Sequence, residues 1–235
     1  MEIECSKIKV IGFDADDTLW VNETYFRDAE QEFAQLLSHY ETPNKIDQEL
    51  FKMEMKNLPL YGYGVKGFML SMVEMALELS NNNVSNKTIS DVLTIGKTML
   101  TKPVELLEGV EDLLEVLSEK YRLIVATKGD LLDQERKLEK SGLLKYFHHI
   151  EVLSDKKEVN YKRLLNHLDI KPESFLMIGN SLKSDILPLI SIGSQAIHVP
   201  FHTTWVHEQV LESDIKNKQY ETVKNLKSII DILGI

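Results

Sequence analysis

Ile8-Lys9-Val10-Ile11-Gly12-Phe13-Asp14-Ala15-Asp16-Asp17-Thr18 is the stretch that decides how the rest of the chain is read. Its first six residues form a short, largely apolar strand that ends at an acidic cluster. In open α/β sheets, ligands bind beyond the carboxyl ends of the strands, so chemistry is expected here. Two carboxylates two residues apart, Asp14 and Asp16, can take separate jobs. One attacks; the other, on the following turn, gives or takes a proton. A calcium EF-hand loop starting at Asp14 would need Gly at its sixth position and Glu at its twelfth. Those positions hold Leu19 and Tyr25, so that reading fails. A plain acidic turn is the bland alternative.

Downstream of this strand the pattern turns helical, from about Asn22 to Leu100. Phe26, Ala29, Phe33, Leu36 and Leu37 recur at helical spacing, as do Met69, Met72, Val73, Ala76 and Leu77. The methionines read as packing between helices. Asn81-Asn82-Asn83 interrupts the run, and Ser85 or Asn86 can cap the next helix. After Pro103 the texture changes. A helix around Val110–Glu119 leads into a second buried strand, Tyr121–Ala126. A charged helix follows around Leu131–Lys140, closed by Gly142. Strands are expected at His148–Leu153, Ser174–Ile178 and Gln195–Val199, with helices around Tyr161–Leu168 and Ile186–Ile192. Apolar strands alternating with helices give an α/β class, a parallel sheet covered on both faces. An all-helical insertion of about 80 residues follows the first strand, by the same reading of periodicity.

Composition narrows the partners. The chain has 235 residues, 43% hydrophobic and 27% charged, with a formal net charge of −10. That is ordinary for a globular protein and argues against nucleic acid or an anionic membrane as partner. A site for an anionic substrate must then be locally positive. One cysteine, Cys5, allows no intrachain disulfide. No apolar run approaches the roughly 18 residues of a membrane-spanning helix, and Met1–Lys9 lacks a signal-like apolar core. Together these favour the cytoplasm.

Three further motifs fall just past strand ends. Thr127, followed by Lys128-Gly129-Asp130, offers a hydroxyl for a phosphate oxygen and a glycine for close backbone approach. Lys156-Lys157 can neutralise charge on phosphate or on a nucleophile. Gly179-Asn180-Ser181-Leu182-Lys183-Ser184-Asp185 is an oxygen-rich turn suited to a hard cation, and Ser181 or Ser184 can also cap a helix there. Each motif alone is weak; their order brings them to one edge of one sheet.

In that order the chain resembles the haloacid dehalogenase superfamily, whose four motifs match Asp14/Asp16/Thr18, Thr127, Lys156 (or Lys157) and Asp185. The segment from Met177 to Pro200, followed by His202-Thr203-Thr204-Trp205, resembles phosphatase-like members. The resemblance implies a Rossmann-like sheet of order 5-4-1-2-3, with residues 1–20 and 102–235 as core and 21–101 as a helical cap. It implies a magnesium-dependent phosphatase acting on a small phosphorylated metabolite. Asp14 forms an aspartyl phosphate, Asp16 is acid and then base, and Thr127, Lys128 and Lys156 hold the phosphoryl group. Magnesium is expected on Asp14, the Asp16 carbonyl, Asp185 and Asn180, which stands where the family usually has Asp and whose amide oxygen can coordinate the cation or hold a metal-bound water. In the cap, Leu58–Phe68 reads either as a loop reaching the substrate through Tyr61, Tyr63 or Lys66, or as a simple interhelical turn whose tyrosines pack against the cap. A phosphomutase could use the same motifs. A dehalogenase typically lacks the second acid, which Asp16 supplies here. A non-catalytic binding protein has only Asn180 in its favour. The sequence leaves the oligomeric state open.

Overall fold

The computed structural model describes residues 3–216, 218 and 220–235, arranged as two compact units. One comprises the chain up to Glu23, Val104–Lys128 and the chain from Gln134 onward; the other comprises Thr24–Pro103 and Gly129–Asp133.

The first unit is built on a parallel six-stranded sheet. Its strands are β1 (Val10–Phe13), β2 (Arg122–Lys128), β3 (His149–Leu153), β4 (Phe175–Gly179), β5 (Gln195–His198) and β6 (Glu221–Thr222). Their order is β3-β2-β1-β4-β5-β6, the expected order read from the other edge with one strand added. β6 pairs only Glu221 and Thr222 with Ile197 and His198, and nothing in its sequence announces it. β1 lies at the centre, paired with β2 on one side and β4 on the other. Because side chains alternate across a strand, Ile11 and Phe13 join Leu123, Val125, Leu176 and Ile178 on one face. Val10 joins Ile124, Ala126, Phe175 and Met177 on the other. The flanking helices include α5 (Val110–Ser118), α6 (Leu131–Lys140), α7 (Glu158–His167) and α8 (Leu187–Ser191). All the loops that follow β1 to β4 therefore leave from the same edge.

The second unit holds most of α1 (Glu23–Leu36), with α2 (Pro43–Tyr61), α3 (Val65–Leu79) and α4 (Asn86–Thr101). Its core is Phe33, Leu37, Ile46, Leu50, Met72, Met75 and Val92 among others, so the methionines do pack between helices. Ser85 caps α4, its hydroxyl accepting the Thr88 N–H at 3.0 Å. One expectation is corrected. Most of Leu58–Phe68 is helical; only Gly62-Tyr63-Gly64 is not. Pro59 lies inside the last turn of α2, where losing one N–H does not end the helix. The break comes from Gly62 (φ +71°) and Gly64 (φ +104°), conformations that side chains rarely adopt. Among the described residues no helix is long and apolar enough to cross a membrane.

Gly12 makes the centre of the sheet possible. A Cβ added there would lie 2.5 Å from Phe175 Cζ and 3.2 Å from Met177 Sδ. Both partners are wholly buried, so neither can swing aside. Gly12→Ala should therefore cost about 1–3 kcal/mol, read as a lower urea midpoint at unchanged slope. An unchanged midpoint would mean the Phe175 ring has room to move.

Candidate active site

Asp14 is the first residue past β1, its N–H donating to Ile178 O of β4 at 2.9 Å. Lys156, after β3, reaches under it. Its Nζ donates to Asp14 Oδ1 at 2.5 Å and to Asp185 Oδ1 at 2.6 Å. The ammonium is 2% exposed. Burial alone would lower its pKa, but Asp14 and Asp185 hold it raised, so Lys156 stays charged. Burial pushes Asp14 up, Lys156 partly opposes that, and Asp185 adds to it. Lys157, by contrast, pairs with Asp155 at 2.7 Å and leaves its side chain 75% exposed, so of the two lysines it is Lys156 that enters the site.

Asp185 is placed by a tight turn. The Ser181 N–H donates to its Oδ2 at 3.0 Å, and the Ser184 N–H donates to Ser181 Oγ at 3.0 Å. Both halves of the expected motif-four turn are thus present: an oxygen-rich loop and a serine cap. Gly179 must lack a side chain, because a Cβ would fall 2.4 Å from Asp185 Oδ2. The Asn180 amide sits beside Asp14 Oδ2 (3.1 Å), the Asp16 carbonyl (3.3 Å) and Thr18 Oγ1 (3.3 Å). With its nitrogen on that side it donates to all three.

The remaining residues close a pocket of about 110 Å³. Asp14, Asp16, Thr127, Lys128, Lys156, Asn180 and Asp185, scattered over 172 positions of sequence, all line it. Thr127 donates to the Lys128 carbonyl at 3.1 Å. Lys128 Nζ is committed to Glu208 Oε1 (2.6 Å) and Ser184 Oγ (2.9 Å). Glu208 was not foreseen. Its other oxygen accepts from Ser181 and Ser184 at 2.5 and 2.6 Å. Burial opposes its charge, but Lys128 and the two hydroxyls hold its carboxyl down at about 2. Thr203, Thr204 and Trp205 also line the pocket. In sequence they carried only a family resemblance.

Asp16 is gripped from three sides, by Trp20 Nε1 (2.7 Å), Lys137 Nζ (2.6 Å) and Gln134 Nε2 (2.8 Å). None of these lies in a recognised motif; the one signal was the spacing of Gln134 and Lys137, one turn apart on α6. Tyr61, Tyr63 and Lys66 belong to the helical unit. Tyr61 ends α2 and donates to Glu74, Tyr63 is half-buried between Gly62 and Gly64, and Lys66 pairs with Asp130 at 2.8 Å. Among the described residues no three His, Cys, Asp or Glu side chains form a metal cluster. Oxygen groups that could hold a cation include the carboxylates of Asp14 and Asp185, the Asn180 amide and the Asp16 carbonyl.

Comparison with known proteins bears on this arrangement. The haloacid dehalogenase-like hydrolase family model matches residues 8–193. A crystal structure of a haloacid dehalogenase-like family hydrolase from Xanthomonas campestris superposes with a TM-score of 0.85 at 36% identity, covering 97% of this chain and 92% of that one. A glyceraldehyde 3-phosphate phosphatase from Pyrococcus furiosus is 25% identical over 97% of this chain and 93% of its own length. The N-acylneuraminate-9-phosphatase of Rattus norvegicus is 23% identical over 86% and 84%.

Asp17, between the site and α1, has φ +62° and accepts the N–H groups of Asn22 (2.8 Å) and Glu23 (3.0 Å). Burial pushes its carboxyl up to about 7, against those donors. A raised folded-state value favours the protonated acid. That contribution is whole below about pH 4, the unfolded value, and is lost as pH rises through about 7. Asp17→Asn keeps an acceptor and tolerates the positive φ. In EDTA, its melting temperature should gain on wild type from pH 5 to pH 8 by several degrees, at about 2–4 °C per kcal/mol. A constant difference across that range would show that Asp17 does not titrate there.

Proposed function

The chain belongs to the haloacid dehalogenase-like hydrolases, and we propose that within this family it is a magnesium-dependent phosphatase of a small phosphomonoester. The observation that carries this reading is Asp14, buried at the end of the central strand with one oxygen on Lys156, in a pocket shared with Asp16 and Thr127. The phosphatases among its relatives support it. Asp14 attacks phosphorus, the bond from phosphorus to the ester oxygen breaks, and the departing oxygen takes a proton from Asp16. Water then attacks the aspartyl phosphate. Asp16 takes its proton, and inorganic phosphate leaves with Asp14 restored as a carboxylate. Lys156 holds the nucleophile's oxygen throughout, and Thr127 with the Lys128 backbone steadies the phosphoryl oxygens. The helical unit serves as the family's cap and selects the leaving group.

Six carboxylates but only two ammonium groups line the pocket. A phosphate dianion entering it needs a further cation. The residues fit magnesium. Asp14, the Asp16 carbonyl, Asn180 and Asp185 would hold it, all oxygen donors as a hard cation prefers. The 3.1–3.3 Å spacing of the Asn180 amide from Asp14 Oδ2 and the Asp16 carbonyl matches that donor set. Ligands at octahedral magnesium distances lie about 3 Å from one another. The ion supplies charge neutralisation between two anionic reactants. As a ligand Asn180 would present its amide oxygen there in place of its nitrogen.

Asp14→Asn should abolish phosphate release, with thermal unfolding showing an intact fold; a mutant retaining most of the wild-type rate would remove Asp14 as nucleophile. A magnesium titration of activity tests the metal reading. Asn180→Asp should lower the half-maximal magnesium concentration about tenfold, as about 1.4 kcal/mol of added binding implies. Asp185→Asn should raise it. If neither midpoint moves, the turn does not build the cation site.

A further inference from the structure

Both oxygens of Asp16 have partners, and unequally. Oδ1 takes two donors, Trp20 Nε1 at 2.7 Å and Lys137 Nζ at 2.6 Å. Oδ2 takes one, Gln134 Nε2 at 2.8 Å. The three donors are themselves anchored. Trp20 is wholly buried. Gln134 is 2% exposed and also donates to the Lys128 carbonyl at 3.0 Å. Lys137 also donates to Asn22 Oδ1 at 3.0 Å. An isolated surface ion pair would be worth little. Here both side chains are largely covered, at 18% and 24% exposure, and two neutral donors fix the same carboxylate. The grip therefore selects one rotamer of Asp16.

We propose that Lys137 is a positioning residue that acts through Asp16. With Trp20 it saturates Oδ1, so Oδ2, with one lone pair still open, is the atom that carries the proton to the leaving group. Its ammonium also stabilises the carboxylate that forms as the proton departs. In this step the Oδ2–H bond breaks, the leaving oxygen gains the proton, and the new negative charge on Asp16 lies against Lys137. The proposal rests on the phosphatase reading above. The role it assigns differs from simple bracing of α6, because bracing would slow every substrate alike.

The test uses the full chain, with an alkyl phosphate and p-nitrophenyl phosphate as substrates in single turnover. Lys137→Met should slow the alkyl ester at least tenfold more than the aryl ester, whose leaving group needs little proton. Lys137→Arg should restore most of that loss, and Lys137→Met should add nothing in an Asp16→Asn background. An equal loss on both esters, or an additive loss in that background, overturns the proposal. A second measurement is independent of turnover. The chain has two tryptophans, so an indole ¹⁵N–¹H spectrum has two resonances, told apart by Trp205→Phe. The Trp20 resonance should move in Lys137→Met and hold in Lys137→Arg. If wild type hydrolyses neither ester, the phosphatase reading fails, and this resonance alone decides the positioning: unmoved in Lys137→Met, it overturns it.

Discussion

One ammonium group holds together what the chain keeps far apart. Lys156 Nζ sits between Asp14 and Asp185, which lie 171 positions from each other in sequence. Two buried carboxylates sharing one ammonium repel each other, and neither is tolerable in a dry interior without a partner. A buried charge left alone costs several kcal/mol, about 3–5 when its partner is removed. The strands that carry these residues, β1 and β4, are neighbours held by backbone hydrogen bonds, while the lysine arrives from beyond β3. The fold thus delivers three charges to one point, and the lysine makes that convergence stable.

How much of this could be read from sequence follows from where each signal resides. The strand ends were legible because a short apolar run stops at a polar residue, and parallel order sends every such stop to one edge. Asp14, Thr127, Lys156 and Asp185 were found that way. Glu208 was not, because it meets Lys128 only after the chain has returned from 80 residues away. Trp20 lies outside every motif, and Lys137 is one of several charges on a charged helix. Their shared grip on Asp16 is a product of packing between α6 and the loop after β1. The Leu58–Phe68 segment erred in the other direction. Its three glycines and two tyrosines between helical stretches suggest a loop, yet only three residues leave the helices. β6 is two residues long and has no hydrophobic run to betray it.

Glu208 changes how the pocket wall is understood. Its carboxylate ties Lys128, at the end of β2, to the serines of the turn after β4. Three separate stretches of the first unit are thereby locked by one half-buried anion. Such a network is worth most when complete and costs most when half-made. The part of the pocket lined by Lys128, Ser181, Ser184 and Glu208 is thus held together by its own residues.

The insertion after β1 carries a consequence for synthesis. The central strand emerges near the start of the chain, but its partner β2 begins only at Arg122. On the ribosome, where segments emerge in order, the helices from α1 to α4 can pack among themselves while β1 waits with both edges unpaired. An apolar strand in that condition is a template for pairing with other chains. The two glycines of the Gly62–Gly64 turn and the serine cap of α4 help close the helical unit locally. Rapid closure there shortens the effective distance between β1 and β2, and with it the time for which the chain's most adhesive segment stays unpaired.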